Sequence, residues 1–182
     1  MKKEVLERIQ IRMGDISLIE ADAIVNAANP TLLGGEGVDG MIQWAAGEEL
    51  LEECRKVGYC PTGEARITGG YKLPSRHVIH TVGPVYQLDG ANAPKLLAAC
   101  YLNCLKLAVE HGLATIAFPA ISCGSYGYPA EEACRIALDT VCDFLERDKT
   151  LQKVIFVLYK FRHYETYIDY FNSISSASDS NP

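Results

Sequence analysis

Apolar residues along the chain fall into short runs separated by longer stripes of helical period. Asp22-Ala-Ile-Val-Asn26, Thr115-Ile-Ala-Phe-Pro119 and Lys153–Leu158 have the length and content of central strands. Residues 4–12 alternate and predict a first strand. Glu64–Tyr71 and His77–Val82 predict two more, with a turn near Pro74-Ser75. A helix is predicted from Val38 past Trp44; Gly47 interrupts it, and a second piece continues to about Val57. Within Ala93–His111, residues Leu97, Cys100, Tyr101, Cys104, Leu105 and Ala108 share one helical face, and His111-Gly112 is a C-terminal cap signal. Pro129 opens a helix that runs to about Arg147, and Arg162–Phe171 forms a closing helix.

Strands that alternate with helices predict an α/β domain with helices on both faces of a largely parallel sheet. The N-terminal strand and the 64–82 pair are expected as antiparallel edges. Residues 1–172 read as a single domain and residues 173–182 as a disordered tail, because Ser, Asn, Asp and Ala offer few anchors. In such a sheet the ligand crevice lies beyond the carboxyl ends of the strands.

Composition narrows the function classes. The 182 residues are 48% hydrophobic and 22% charged, as in an ordinary globular domain, with a net charge of −6. That balance speaks against broad nucleic-acid binding but leaves room for a small anionic ligand. No apolar run has membrane-spanning length and no secretory leader is visible, so a cytoplasmic protein with no membrane partner is expected. The seven cysteines are scattered without a Cys-x-x-Cys pair and read as reduced thiols. Cys100 and Cys104 are read as core residues. His77 and His80 point to opposite sides of one strand, so no metal site is expected.

The chemistry concentrates in two glycine-rich loops, each following a predicted strand. The first is Asn26-Ala-Ala-Asn29-Pro-Thr-Leu-Leu-Gly34-Gly-Glu-Gly37-Val-Asp39-Gly40; the second is Ser122-Cys-Gly-Ser-Tyr-Gly127. Glycines let successive N–H groups converge on an anion, and a helix start adds its dipole. The first loop holds no Lys or Arg, so the expectation is a phosphate gripped by backbone amides without a cation. Two nests on one rim suit two linked phosphates. The spacing matches neither a P-loop nor the dinucleotide fingerprint.

With these motifs the chain resembles the macrodomain family, in particular the MacroD-type ADP-ribosyl hydrolases, over about residues 8–172. The resemblance rests on Gly14-Asp15-Ile16, Asn26-Ala-Ala-Asn29, Leu33-Gly-Gly-x-Gly-Val-Asp39-Gly40, Pro61-Thr-Gly-Glu-Ala, Val78-Ile-His-Thr-Val-Gly-Pro84 and Phe118-Pro-Ala-Ile-Ser122-x-Gly-x-Tyr126-Gly-Tyr-Pro129. It implies a three-layer α/β/α domain with a mixed, mostly parallel sheet that binds ADP-ribose in the rim crevice. Asp15 and Ile16 would then take the adenine amino group, and Tyr159 would stack on the base. Gly34, Gly35, Glu36, Gly37 and Val38 would cradle one phosphate; Ser122, Cys123, Gly124, Ser125 and Tyr126 would cradle the other, with Tyr126 over the distal ribose. Asn29 and Asp39 would reach that ribose and a water beside it, and Asn26 would shape the loop. The implied reaction is hydrolysis of O-acyl-ADP-ribose or of proteins mono-ADP-ribosylated on carboxylates, by a monomer needing no cofactor.

Three departures bear on rate, among them Pro30, which follows Asn29, stiffens the loop and biases Asn29 toward an extended backbone. Glu36 stands where members commonly carry Gly, at a cost of ~1–2 kcal/mol if φ is positive there. Gln43-Trp44 replaces a His-containing pair. Rival readings are a non-catalytic ADP-ribose reader, a module for RNA or poly-ADP-ribose, and a Cys123 nucleophile with His80 as a guessed base.

Overall fold

The computed structural model describes residues 3–179. Alternation along the central strands splits their side chains between two apolar layers. In β2 (Ala23–Ala27) Ala23 and Val25 face one layer and Ile24 the other; in β5 (Thr115–Phe118) Ile116 and Phe118 oppose Ala117; in β6 (Lys153–Leu158) Val154 and Phe156 oppose Ile155 and Val157. With β1 (Ile9–Met13), β3 (Ala65–Gly69) and β4 (His77–Thr81) they form a six-stranded sheet in the order β1-β6-β5-β2-β4-β3.

Helices cover both sides. On one face lie α1 (Lys3–Leu6), α5 (Ala93–Glu110), α6 (Ala130–Arg147) and α7 (Phe161–Asp179). On the other lie α2 (Gly37–Ala46) and α3 (Glu48–Val57), split at Gly47 with φ +89°, as the sequence predicts. A short helix, α4 (Tyr86–Asp89), and 3-10 turns at Ile16–Leu18 and Gly90–Asn92 are too brief to leave a periodic signal.

Three expectations need correction. The strand predicted over 4–12 begins only at Ile9, because Val5 and Leu6 are adjacent and both buried, which suits one turn of helix rather than a strand. That strand is parallel to β6, not antiparallel; among the described residues β3 alone runs antiparallel. Alternation carries no direction, so the sequence could not set this. The tail expected from residue 173 continues α7 to Asp179. Tyr170, Phe171 and Ile174 extend the apolar stripe onto the core, and the Ser173 and Ser176 hydroxyls bond back to the carbonyls of Tyr170 and Asn172. Positions 180–182 of the expected tail lie outside the described residues.

Parallel β1, β6, β5, β2 and β4 bring five carboxyl ends to one rim. Arg8 anchors the β1 side of that frame. Its guanidinium donates to the carbonyls of Leu145, Asp148 and Leu151, tying the start of β1 to the α6–β6 connection. Arg8→Ala leaves these carbonyls without a charged donor, so a loss of about 2–3 kcal/mol is expected. Thermal unfolding should show this as a fall of roughly 4–12 °C in Tm, which Arg8→Lys restores only in part.

Candidate active site

The rim opens into a cleft of about 630 Å³, a volume suited to a nucleotide-sized ligand. The first glycine loop and the first turn of α2 form one wall, the segment 119–126 forms the other, and Tyr159 stands at one end.

The first loop is shaped by its own side chains. Asn29 Nδ2 donates to the Gly34 carbonyl at 2.8 Å, and Asn29 Oδ1 accepts from the N–H and hydroxyl of Thr31 at 3.1 and 2.7 Å. Gly34 and Gly37 take φ of +87° and +61°. Glu36 does not: its φ is −94°, extended backbone that any residue adopts, so the expected strain at this position is absent. Its side chain is exposed. The loop closes onto α2 through Gly40, where a Cβ would lie 2.6 Å from the Gly35 carbonyl oxygen. Among the described residues, no protein acceptor takes the N–H groups of Gly35, Glu36, Gly37 or Val38. Those four donors lie at the positive end of α2.

The second loop is built differently. Ser122 has φ +65°, a left-handed conformation that costs a non-glycine residue on the order of 1–2 kcal/mol. Its hydroxyl is buried without a partner. Gly83, just past β4, makes room for it; a Cβ there would overlap the Ser122 hydroxyl and lie 2.7 Å from Ile121 Cγ2. The Ser122 and Gly124 carbonyls accept from the Tyr128 and Gly127 N–H groups, and among the described residues the N–H groups of Gly124, Ser125 and Tyr126 find no protein acceptor. Because α6 starts only at Ala130, this nest lacks the helix-start dipole expected from the sequence.

Asp39 lies on the cleft wall between the loops, only 4% exposed. It is the third residue of α2, not its cap. Burial pushes its carboxyl above the ordinary aspartate range, against hydrogen bonds from Asn26 and Gln43 that pull it down. Asp39 Oδ1 accepts from Asn26 Nδ2 at 2.8 Å. Oδ2 faces Gly35, whose added Cβ would lie 3.1 Å from it and 3.5 Å from Asn29 Nδ2. Asn29 and Asp39 therefore meet over one short backbone segment.

The other expected site residues separate into two groups. Gly35, Glu36, Gly37, Val38, Ser122, Cys123, Gly124, Ser125, Tyr126 and Tyr159 line the cleft with Asn29 and Asp39. Asp15, Ile16, Asn26 and Gly34 do not. Asn26 is fully buried beneath it, since its place on β2 faces α2. Ile16 is buried, and Asp15 caps the 3-10 turn, accepting from the Ser17 N–H and hydroxyl at 2.8 and 2.7 Å. Yet Met13 pairs with Leu158, so Asp15 and Tyr159 leave adjacent strands at the same rim. Tyr159 is 65% exposed, which leaves its ring open to a ligand.

The sequence missed Lys160 and His163, which also line the cleft. Lys160 supplies the cation the loops lack; its only signal was adjacency to Tyr159. Burial, helped by the charges of Lys160 and Arg162, lowers the His163 pKa and favours the neutral ring. The Cys123 reading fails. Burial pushes that thiol up to about 12, and His80 lies in the opposite core layer, bonded to Asn26 and Thr68. Such a thiol is neutral and a poor nucleophile at neutral pH.

Comparison with known proteins places the chain in a family. The sequence profile described as "Macro domain" matches residues 25–137. A Macro domain-containing protein of Chlorobaculum tepidum is 55% identical over 84% of this chain and 89% of its own length. Human ADP-ribose glycohydrolase MACROD2 is 45% identical over all of this chain, which spans 43% of that protein. The Trypanosoma brucei macrodomain in complex with ADP-ribose superposes with a TM-score of 0.87 at 43% identity, over 92% of this chain and 71% of that one.

The elevated Asp39 pKa fixes the sign of a stability test. A carboxyl whose folded pKa is raised favours the folded state at low pH, and that contribution is lost as pH rises through the folded value. Asp39→Asn, which keeps an acceptor for Asn26 but carries no charge, should therefore unfold at higher temperature than the wild type at pH 7. The gap should close as the pH falls toward the ordinary aspartate range. Calorimetric scans across pH 3–8 check this.

Proposed function

This chain belongs to the macro domain family, and from that premise we propose that it binds ADP-ribose in the rim cleft and hydrolyses ADP-ribosyl esters. The substrate class is O-acyl-ADP-ribose and mono-ADP-ribose on protein carboxylates. The observation that carries the reading is Asp39: a buried carboxylate of raised pKa, beside Asn29, on the cleft wall between two amide nests. ADP-ribose in a similar macrodomain and the glycohydrolase name of a similar protein support it.

The nests divide the ligand between them. Gly35–Val38 take one phosphate and the sugar next to it, and Gly124–Tyr126 take the other. Lys160 adds a screened attraction at the mouth. Tyr159 stacks on adenine, and Asp15, with one carboxylate oxygen spent on Ser17, turns the other to the exocyclic amine. Tyr126 covers the distal ribose near Asp39, whose charge contributes to raising the phenol's pKa after burial itself.

Hydrolysis needs a water held against the ester at the distal ribose. Asp39 Oδ2 orients that water and draws on its proton as the water oxygen bonds to the electrophilic carbon. The bond to the leaving oxygen breaks, and that oxygen takes up the proton drawn from the water, passed on by Asp39 or by the substrate's own phosphate. An ordinary aspartate is a weak base at neutral pH; burial moves this one toward useful basicity. The free Asn29 N–H steadies the sugar hydroxyl beside it.

A reader without turnover is the second reading, favoured by Gln43 at a position where the resembled enzymes carry a titratable side chain. One set of measurements separates the two. Asp39→Ala should lower kcat for O-acetyl-ADP-ribose by at least ~10²-fold while ADP-ribose affinity by calorimetry stays within about threefold. Undiminished turnover in that variant refutes the catalytic role, and no turnover by the wild type leaves the reader. Tyr159→Ala should weaken ADP-ribose binding by roughly 5- to 150-fold, the loss of ~1–3 kcal/mol of stacking.

A further inference from the structure

Beneath the cleft a line of buried polar side chains runs from the edge of the sheet to Asp39. Thr68 on β3, His80 on β4 and Asn26 on β2 sit on neighbouring strands, with Thr68 3% exposed and the other two fully buried. None of the three lines the cleft. His80 Nε2 is 2.9 Å from the Thr68 hydroxyl, His80 Nδ1 is 3.2 Å from Asn26 Nδ2, and Asn26 Nδ2 is 2.8 Å from Asp39 Oδ1.

Donors and acceptors fit this line in one direction only. The Thr68 hydroxyl has one hydrogen, and it donates that to the carbonyl of Gly69 at 3.2 Å or of Val78 at 3.4 Å. Asn26 Nδ2 donates to Asp39 and turns its other hydrogen to His80 Nδ1, so the imidazole hydrogen sits on Nε2 and the Thr68 hydroxyl accepts it. Burial lowers the His80 pKa to about 4, so the ring is neutral at neutral pH and Nδ1 is a bare acceptor. Nδ1 takes one hydrogen of Asn26 Nδ2, and the other goes to Asp39. The opposite tautomer would set N–H against N–H. Reversing the Asn26 amide would set its oxygen against the Asp39 carboxylate.

We propose that His80 is a positioning residue for the hydrolytic step: its neutral Nδ1, the ring hydrogen on Nε2 being accepted by Thr68, locks the Asn26 amide against Asp39 Oδ1 and so keeps Oδ2 turned to Gly35 and the cleft. The proposal rests on the hydrolase reading for its kinetic part. Gln43, one turn further along α2, also draws the carboxyl's pKa down, but its Nε2 points to Cys54, so Asn26 is the side chain that holds Asp39. The Cys54 thiol, 3.8 Å from His80 Nε2, accepts from Gln43 at 3.9 Å and fills the remaining space between α3 and the strands. A carboxylate free to rotate would meet the attacking water in the right direction for only part of the time, and catalysis is sensitive to such orientation.

Three variants and one spectrum test this. His80→Leu removes the acceptor, His80→Asn returns one near the Nδ1 position, and Thr68→Val deletes the group that accepts the Nε2 hydrogen while keeping the shape. His80→Leu should lower kcat by roughly 30-fold with KM and ADP-ribose affinity unchanged, and His80→Asn should recover most of that loss. Thr68→Val should lower kcat by about 3- to 10-fold, and it serves alone should His80→Leu fail to fold. Long-range proton–nitrogen correlation in the wild type should show the Nε2–H tautomer at pH 7, mixed with Nδ1–H in Thr68→Val. A folded His80→Leu or Thr68→Val with wild-type kcat overturns the proposal, as does a wild-type Nδ1–H ring. The tautomer is read without substrate. A wild type that binds ADP-ribose but never turns over would end the hydrolase reading, while the spectrum still decides the lock.

Discussion

The hydrogen bond from Asn26 to Asp39 joins the centre of the sheet to the first turn of α2, and the cleft is arranged around it. It fixes how that turn sits over β2. From there Gly40 receives the Gly35 carbonyl, the loop behind it turns four N–H groups outward, and Asn29 closes the loop on Gly34. A helix laid on a sheet can slide by part of a turn at small cost in apolar contact. A buried carboxylate with one strong donor on the strand below cannot, because the shift would strand a charge in a poor solvent for it.

That arrangement is costly locally and useful chemically. A carboxylate placed in the apolar layer between α2 and the sheet disfavours its charged form, and the same desolvation makes it a better base. Ser122 in a left-handed conformation with an unpartnered hydroxyl is a second such cost on the facing wall. Both lie on the cleft, whereas the layer under α5, α6 and α7 is a continuous apolar cluster. The two costs on the cleft are offset by the packing elsewhere.

Electrostatics at the cleft mouth are mixed rather than purely dipolar. Amide nests hold an anion by direction, over short range, and little affected by salt. Lys160 acts over a longer range and is screened. In a chain of net charge −6 this one lysine beside Tyr159 matters more than its exposure suggests, since the exposed Glu36 carboxylate lines the same cleft.

The sequence by itself determined the strands β2, β5 and β6, the break between α2 and α3 at Gly47, and the two loops that form the cleft walls. Each is a local property: a run of β-branched residues, a glycine with positive φ, a cluster of small residues after a strand. It also named Asn29 and Asp39, because their spacing around the loop matched a family pattern. Tertiary structure alone decided the rest. Strand direction, which put Asp15 beside Tyr159, depends on a pairing between residues 13 and 158. The absence of strain at Glu36 depends on how the loop closes on Gly40. The continuation of α7 depends on Ile174 finding the core. The places of Lys160 and His80, one in the cleft and one sealed beneath it, follow from which layer each strand end faces. Local pattern states which face a side chain takes relative to its neighbours in sequence; only packing states what stands opposite.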